Sequence, residues 1–346
     1  MRRLPLAALA AVLTVSFALV AGCGGSDSAS DTAAGTTTAT SSGAPITIGY
    51  SAWPGWFPLK VAEEKGFFTE EGVNVKLKYF TDYIASIDAL SAGTIDANAQ
   101  TLNDTIASVA SGVKERIVLN TDFSAGNDAV IVDKSISSVA GLKGKTVAAE
   151  AGVVDHFLLL QGLQANGLTE KDIDFRGSPT DAAAAAFAAG QFDAVAVFAP
   201  FTLEALKRPG SKVLFSSKEF PGTISDHLVF SEAVASSRAA DLQKIVNAWY
   251  KALAYIESSP DDARAIMAKQ AGISVDEYAS FEAGTALLSA KDALAAFAES
   301  DEPTSLPATA KKINPFLVKS GLTKQDADLT DLFVPTFTQE YVDAKG

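Results

Sequence analysis

From residue 46 onward, short apolar runs alternate with stretches whose apolar positions recur at helical spacing. "ITIGY" (46–50) predicts a strand, and 57–66 a helix with Pro58 near its start, where a missing N–H costs little. "NVKLKYF" (74–80) alternates apolar and polar residues as a half-buried strand does, and 83–92 reads as a helix stopped by Gly93. A strand "IDANAQ" (95–100), a helix over 104–111 and a strand "RIVLNTD" (116–122) follow. The alternation restarts with a strand "TVAAEAG" (146–152), a helix over 154–166, a strand "IDFRGSP" (173–179), a helix over 180–189 and a strand "FDAVAVF" (192–198). Strand–helix alternation of this kind predicts βαβ units and mostly parallel sheets flanked by helices. Amphipathic helices over 241–257 and 260–271 lead into a largely helical tail, with Trp249 on an apolar helical face that core packing explains.

The two halves share a local signature. "SAGTIDANA" (91–99) aligns with "AAGQFDAVA" (188–196): a helix end, a glycine, an apolar residue, then Asp-Ala opening a strand. Gly93 and Gly190 fit the left-handed position that closes a helix. A folded region of about 300 residues exceeds one ordinary core, so two similar α/β lobes are expected.

Composition then fixes a compartment. Arg2 and Arg3 precede an apolar stretch, Leu4 to Val20, and "LVAGC" ends it at Cys23, the single cysteine of the chain. That order predicts a secretory leader over 1–22 rather than a membrane span, and it resembles a lipobox, with Cys23 as the lipid-bearing residue. Residues 23–45 then read as the lipidated cysteine and a flexible tether, because "GGSDSASDTAAGTTTATSSGA" has no large apolar residue to offset ordering entropy. Lys+Arg number 28 against Asp+Glu 41, a net charge of -13. This excess argues against nucleic acid as a partner, since phosphate binding needs clustered bases.

Recognisable catalytic constellations are absent. Two histidines, His156 and His227, and one lipid-committed cysteine support neither a zinc site nor a Cys-His nucleophile, so no metal and no cofactor is expected. No nucleophile elbow, P-loop or dinucleotide fingerprint occurs. An extracytoplasmic, tethered, two-lobed protein of this kind reads as a binding protein and not an enzyme.

Ligands of open parallel sheets bind at the carboxyl ends of strands. That rule selects "SAWPGW" (51–56), "TDY" (81–83), "QTLND" (100–104), "DFSAGND" (122–128), "EAGVVDH" (150–156), "FAPF" (198–201) and "PGTISDH" (221–227) as cleft walls. They hold Asp82, Asp104, Asp122, Asp128, Glu150, Asp155 and Asp226 but no lysine or arginine, together with several aromatic rings. Some of these acids suit helix N-caps, Asp82, Asp104 and Asp155 in particular. A wall of carboxylates opposes an anion and favours a cation, which aromatic faces also attract. The candidate ligand contacts are therefore Trp53, Trp56, Asp82, Tyr83, Asn103, Asp104, Asn127, Asp128, Glu150, Asp155, His156, Phe198 and Asp226. The expected ligand is a small nitrogen-containing molecule, best a cation such as guanidinium or a related amine.

"IGYSAWPGWFPLKVAEEKGFFTEEGVNVKL", "DALSAGTIDANAQTLND" and "KSISSVAGLKGKTVAAEAGVVDHFLLLQGL" resemble the substrate-binding proteins of nitrate/sulfonate/taurine-type ABC importers and the related thiamine-pyrimidine-precursor binders. "WPGW", "SAGND", "VVDHFLLL" and "PGTISDH" are most similar to a subgroup associated with urea or guanidine degradation. The resemblance implies a two-lobed periplasmic binding protein type II fold, with lobe one over 46–128 plus 228–346 and lobe two over 129–227. It also implies a monomer that closes over its ligand, docks on an ABC permease with its ATPase, and touches the membrane only through the lipid anchor. A nitrate, sulfonate or taurine binder using helix N-termini, a pyrimidine-type enzyme, and a ligand sensor of the same fold are the alternatives.

Overall fold

The computed structural model describes residues 43–345; the leader, Cys23 and most of the tether lie outside the described residues. Among the described residues eleven strands form two sheets. The first has the order β11-β4-β10-β3-β1-β2, built from β1 (Ile46–Tyr50), β2 (Val75–Tyr79), β3 (Ala97–Thr101), β4 (Glu115–Ser124), β10 (Ser225–Ser231) and β11 (Thr285–Leu287). The second has the order β7-β6-β8-β5-β9, built from β5 (Asp128–Val132), β6 (Thr146–Ala149), β7 (Asp174–Gly177), β8 (Ala194–Phe198) and β9 (Lys212–Ser216).

Both sheets are mixed, where mostly parallel ones were expected. β1 runs parallel to β2 and β3, and β6 runs parallel to β7 and β8. β10 runs antiparallel to β3 and β4, and β5 antiparallel to β8 and β9. These antiparallel strands are the ones that carry the chain between lobes. It leaves the first sheet at the end of β4, enters the second at β5, and returns after β9 through β10. Asp128 thus heads a strand of the second sheet, while Asp226 and His227 lie in the first.

Central strands are buried on both faces and read as near-continuous apolar runs, as "AVAVF" in β8 does. β2 lies at an edge, where Lys76 and Lys78 keep one face in water and discourage further pairing. Helices follow the parallel strands, among them Tyr83–Ser91 after β2, Leu102–Ala110 after β3, Val154–Ala165 after β6 and Thr180–Ala188 after β7. Their N-termini therefore gather at the carboxyl ends of the strands. Gly93 (φ 68°) and Gly190 (φ 82°) close two of these helices, in the conformation that disfavours a Cβ. The expected helix over 57–66 is Pro58–Glu64, ended near Gly66 at φ 75° before a short turn Phe67–Glu70. Trp249, in the helix Ala239–Ser258, is fully buried in the core.

Candidate functional site

The site starts from the turn after β1. Pro54–Trp56 form one 3-10 turn with proline in its first position, where ring geometry suits the turn and no N–H is needed. The turn rests on Asp122 of β4. A Cβ on Gly55 would lie 2.1 Å from Asp122 Oδ2, so only glycine allows this approach. Trp53 Nε1 donates to Asp122 Oδ1 at 2.9 Å, Thr121 Oγ1 donates to Oδ2 at 2.9 Å, and Tyr278 Oη donates to the Pro54 carbonyl at 3.1 Å from behind. Both tryptophans are consequently buried, each at 3% exposure.

Their rings face the second lobe across a cavity of about 10 Å³. Trp53, Trp56, Tyr83, Thr101, Ile224 and Asp226 wall it from the first lobe, and Asp128, Val154 and Phe198 from the second. Phe198 touches Tyr83 edge to face (6.2 Å, 81°) and Trp53 likewise (6.4 Å, 81°), while Trp56 leans on Tyr83 at 5.5 Å. Such aromatic contacts are favourable by about 0.5–1.5 kcal/mol each beyond simple burial. They also leave room for about one water, so a larger ligand must part the rings.

Carboxyl groups set the electrostatics. Asp104 accepts from Thr101 Oγ1 (2.7 Å), Tyr83 Oη (2.9 Å) and Asn103 Nδ2 (2.7 Å), and so has its hydrogen bonds filled. Three others do not: Asp128 Oδ2, Asp155 Oδ1 and Asp226 Oδ2 are buried without a partner among the described residues. These residues are only 2%, 1% and 1% exposed. No lysine or arginine belongs to the cavity wall. Burial raises Asp104, Asp122 and Asp128 to about 7, against weaker opposing hydrogen bonds. Asp226 and Asp155 are pushed well above the carboxylate range, first by burial and then by neighbouring acids. Asp226 and Asp122 face each other on β10 and β4, where two like charges favour retention of a proton. Thr180 Oγ1 lies 2.6 Å from Asp155 Oδ2 and 2.8 Å from Glu150 Oε2. One hydroxyl proton cannot fill both bonds, so satisfying both requires a proton on one carboxyl.

Of the residues singled out from sequence, Trp53, Trp56, Tyr83, Asp128, Phe198 and Asp226 line this cavity. Asp104 and Asn103 stand behind Tyr83 and Thr101, and Asp155 follows the wall residue Val154. Asp82 and Glu150 belong to an adjoining compartment, and Asp82 caps its helix by accepting from Ala85 N at 3.0 Å. Asp104 and Asp155 are not caps: they sit inside first helical turns after Thr101 and Val153. Two candidates fall outside the site. Asn127 donates to the Phe281 carbonyl (2.8 Å) and Thr285 Oγ1 (2.7 Å), fastening the crossing segment to β11. His156 is held 2.7 Å from Glu170 and stacked on Phe175 at 4.2 Å, because its ring leaves the helix toward the outer strand β7. Thr101, Val154 and Ile224 were not singled out; Thr101 ends β3, where the strand-end rule points. Among the described residues no three His, Cys, Asp or Glu side chains converge as a metal site.

The profile of the NMT1-like family matches residues 39–272. A putative aliphatic sulfonates-binding protein of Escherichia coli K12 is 29% identical over 198 residues, 56% of this chain and 61% of the relative. The taurine-binding periplasmic protein of the same organism is 26% identical over 163 residues, 47% of this chain and 50% of the relative. The match thus spans about half to three fifths of these curated relatives. Among solved structures, the periplasmic aliphatic sulphonate binding protein SsuA from Escherichia coli superposes with a TM-score of 0.70 at 21% identity, covering 86% of this chain and all of the other. The desulfurization enzyme DSZB superposes at 0.59 with 15% identity, covering 87% and 99%. These likenesses establish a periplasmic binding protein fold.

Proposed function

This chain belongs to the NMT1-like family, and from that premise we propose that it is the substrate-binding component of an ABC importer, capturing a small planar N–H-rich cation of the guanidinium type between its lobes. The observation that carries the reading is the pair of buried carboxylate oxygens in the cavity wall, on Asp128 and Asp226, that have no partner among the described residues. An ionised carboxylate buried without a partner costs several kcal/mol, and an N–H cation between these groups would supply the missing donors. The faces of Trp53 and Trp56 would add about 0.5–2 kcal/mol of cation–π attraction. In this reading Cys23 anchors the protein outside the cytoplasm, and a permease and its ATPase receive the closed form.

Relatives named for sulfonates and taurine make an anion the natural competitor. The electrostatics oppose it wherever these acids ionise: each carboxylate roughly 4 Å from a sulfonate then costs about 4 kcal/mol at an effective dielectric near 20, whereas the protonated form that burial favours carries no such cost. Helix N-termini, the usual remedy, already hold acids of their own, Asp82 on one helix and Asp104 and Asp155 in the first turns of two others. A taurine-like zwitterion is the second reading, favoured by Trp56 Nε1, a buried donor in the same wall without a partner among the described residues. A catalytic role has less support, since neither His156 nor His227 lines the cavity.

A thermal-shift panel of guanidinium, methylammonium, taurine, methanesulfonate and nitrate tests the reading. Guanidinium is expected to raise the melting midpoint saturably and the simple anions to leave it unchanged. The reverse pattern overturns the proposal.

A further inference from the structure

Beside the cavity lies a second compartment of about 10 Å³. Tyr83 and Phe198 line both spaces, and their edge-to-face contact at 6.2 Å is the partition between them. Three carboxylates wall the second space: Asp82 from the first lobe, and Glu150 and Asp181 from the second, with no lysine or arginine among its lining residues. Asp82 and Asp181 are exposed, so this compartment meets solvent. Ser51, at 1% exposure, also lines it, and its hydroxyl has no hydrogen-bond partner among the described residues. Thr180 also lines this compartment, and its hydroxyl lies within hydrogen-bond distance of both Glu150 and Asp155.

We propose that this compartment is a vestibule, a weaker cation site that takes the ligand first and passes it inward when the Tyr83–Phe198 contact opens. The proposal rests on the cation reading of the inner cavity. Its physical basis is a division of labour set by exposure. Acids in water interact weakly with a bound ion but act at a distance, so they set the association rate and are screened by salt. Buried acids and closed rings hold an ion that has arrived, and they set the dissociation rate. Edge-to-face rings in contact leave no passage, so an ion in the vestibule waits for the lobes to part.

Stopped-flow tryptophan fluorescence with guanidinium as the probe tests this in the wild type and in the double variant Asp82→Asn, Asp181→Asn. Asparagine preserves the helix cap at position 82. The association rate is expected to fall about three- to tenfold at low ionic strength, with the gap closing as salt is added. The dissociation rate should stay within about twofold, because neither residue touches the inner cavity. Equal association rates in both proteins overturn the vestibule while leaving the cavity reading intact. A loss of affinity through faster dissociation also overturns it, since these acids would then grip the bound ion. Absence of any saturable signal with wild-type protein removes the cavity reading, and the vestibule with it.

Discussion

Asp226 shows how one residue can favour binding at the expense of the fold. Its carboxyl is buried, faces Asp122 and leaves Oδ2 without a partner. Asp226→Asn removes the charge while keeping the shape. We expect guanidinium affinity to fall about 10- to 100-fold, the range for a hydrogen bond to a charged group. The ligand-free protein should melt a few degrees higher, because an uncompensated buried acid has gone. Calorimetric titration and a melting curve read both; a loss of stability together with unchanged affinity would make Asp226 a structural residue only. Trp56 separates packing from recognition less cleanly, since it is buried against Tyr83. Trp56→Ala is expected to cost about 3 kcal/mol of stability as well as affinity. Trp56→Leu keeps more of the volume and isolates the ring, with an expected two- to thirtyfold loss for the cation, about 0.5–2 kcal/mol.

At the scale of elements, the turn Pro54–Trp56 depends on what lies beneath it. Gly55→Ala drives a methyl into the Asp122 carboxyl, 2.1 Å from Oδ2. Overpacking of this kind costs about 1–3 kcal/mol, and the shift would displace Trp53 from its bond to Asp122. Urea denaturation should record the lost stability and calorimetry a weakened ligand; a neutral Gly55→Ala would mean that β4 yields freely. Much of this was legible in sequence: the strand–turn–helix order, the proline at the first turn position, and aromatics at a strand end. The position of Asp226 was not. The strand expected over 116–122 already held Asp122 and runs on to Ser124 in β4, but "PGTISDH" looks like a loop because it carries Pro, Gly, Ser and Asp, yet Ser225–His227 belong to β10. Both strands cross between lobes and are buried on both faces, so no polar–apolar alternation marks them. Acids inside an apolar strand run were the available signal. Asn127 and His156 misled for a different reason: residue type and a place near strand ends do not fix side-chain direction, and local partners draw both away from the cavity.

For the whole molecule, two α/β lobes follow from the repeated strand–helix pattern, whereas the depth of the acids arises only when the lobes meet. That depth makes stability pH-dependent. Asp104, Asp122 and Asp128 titrate near 4 when unfolded and at about 7 in the fold, so their contribution is fully present below 4 and is lost as pH rises to about 7. Buried His227, lowered to about 3, acts oppositely, losing stability as pH falls from 6.5. The acids outnumber it, so ligand-free protein should melt higher at pH 5 than at pH 8, with guanidinium narrowing the gap; a flat or reversed profile would contradict the buried-acid account. Binding a cation also expels protons from acids that held them. The most direct measurement is therefore calorimetric titration with guanidinium chloride at pH 6.5 in two buffers of different ionisation enthalpy, with methanesulfonate run beside it. Guanidinium is expected to bind saturably, one to one, with a buffer-dependent enthalpy that reports proton release, and methanesulfonate not to bind. Saturable methanesulfonate binding without guanidinium binding would contradict the cation reading.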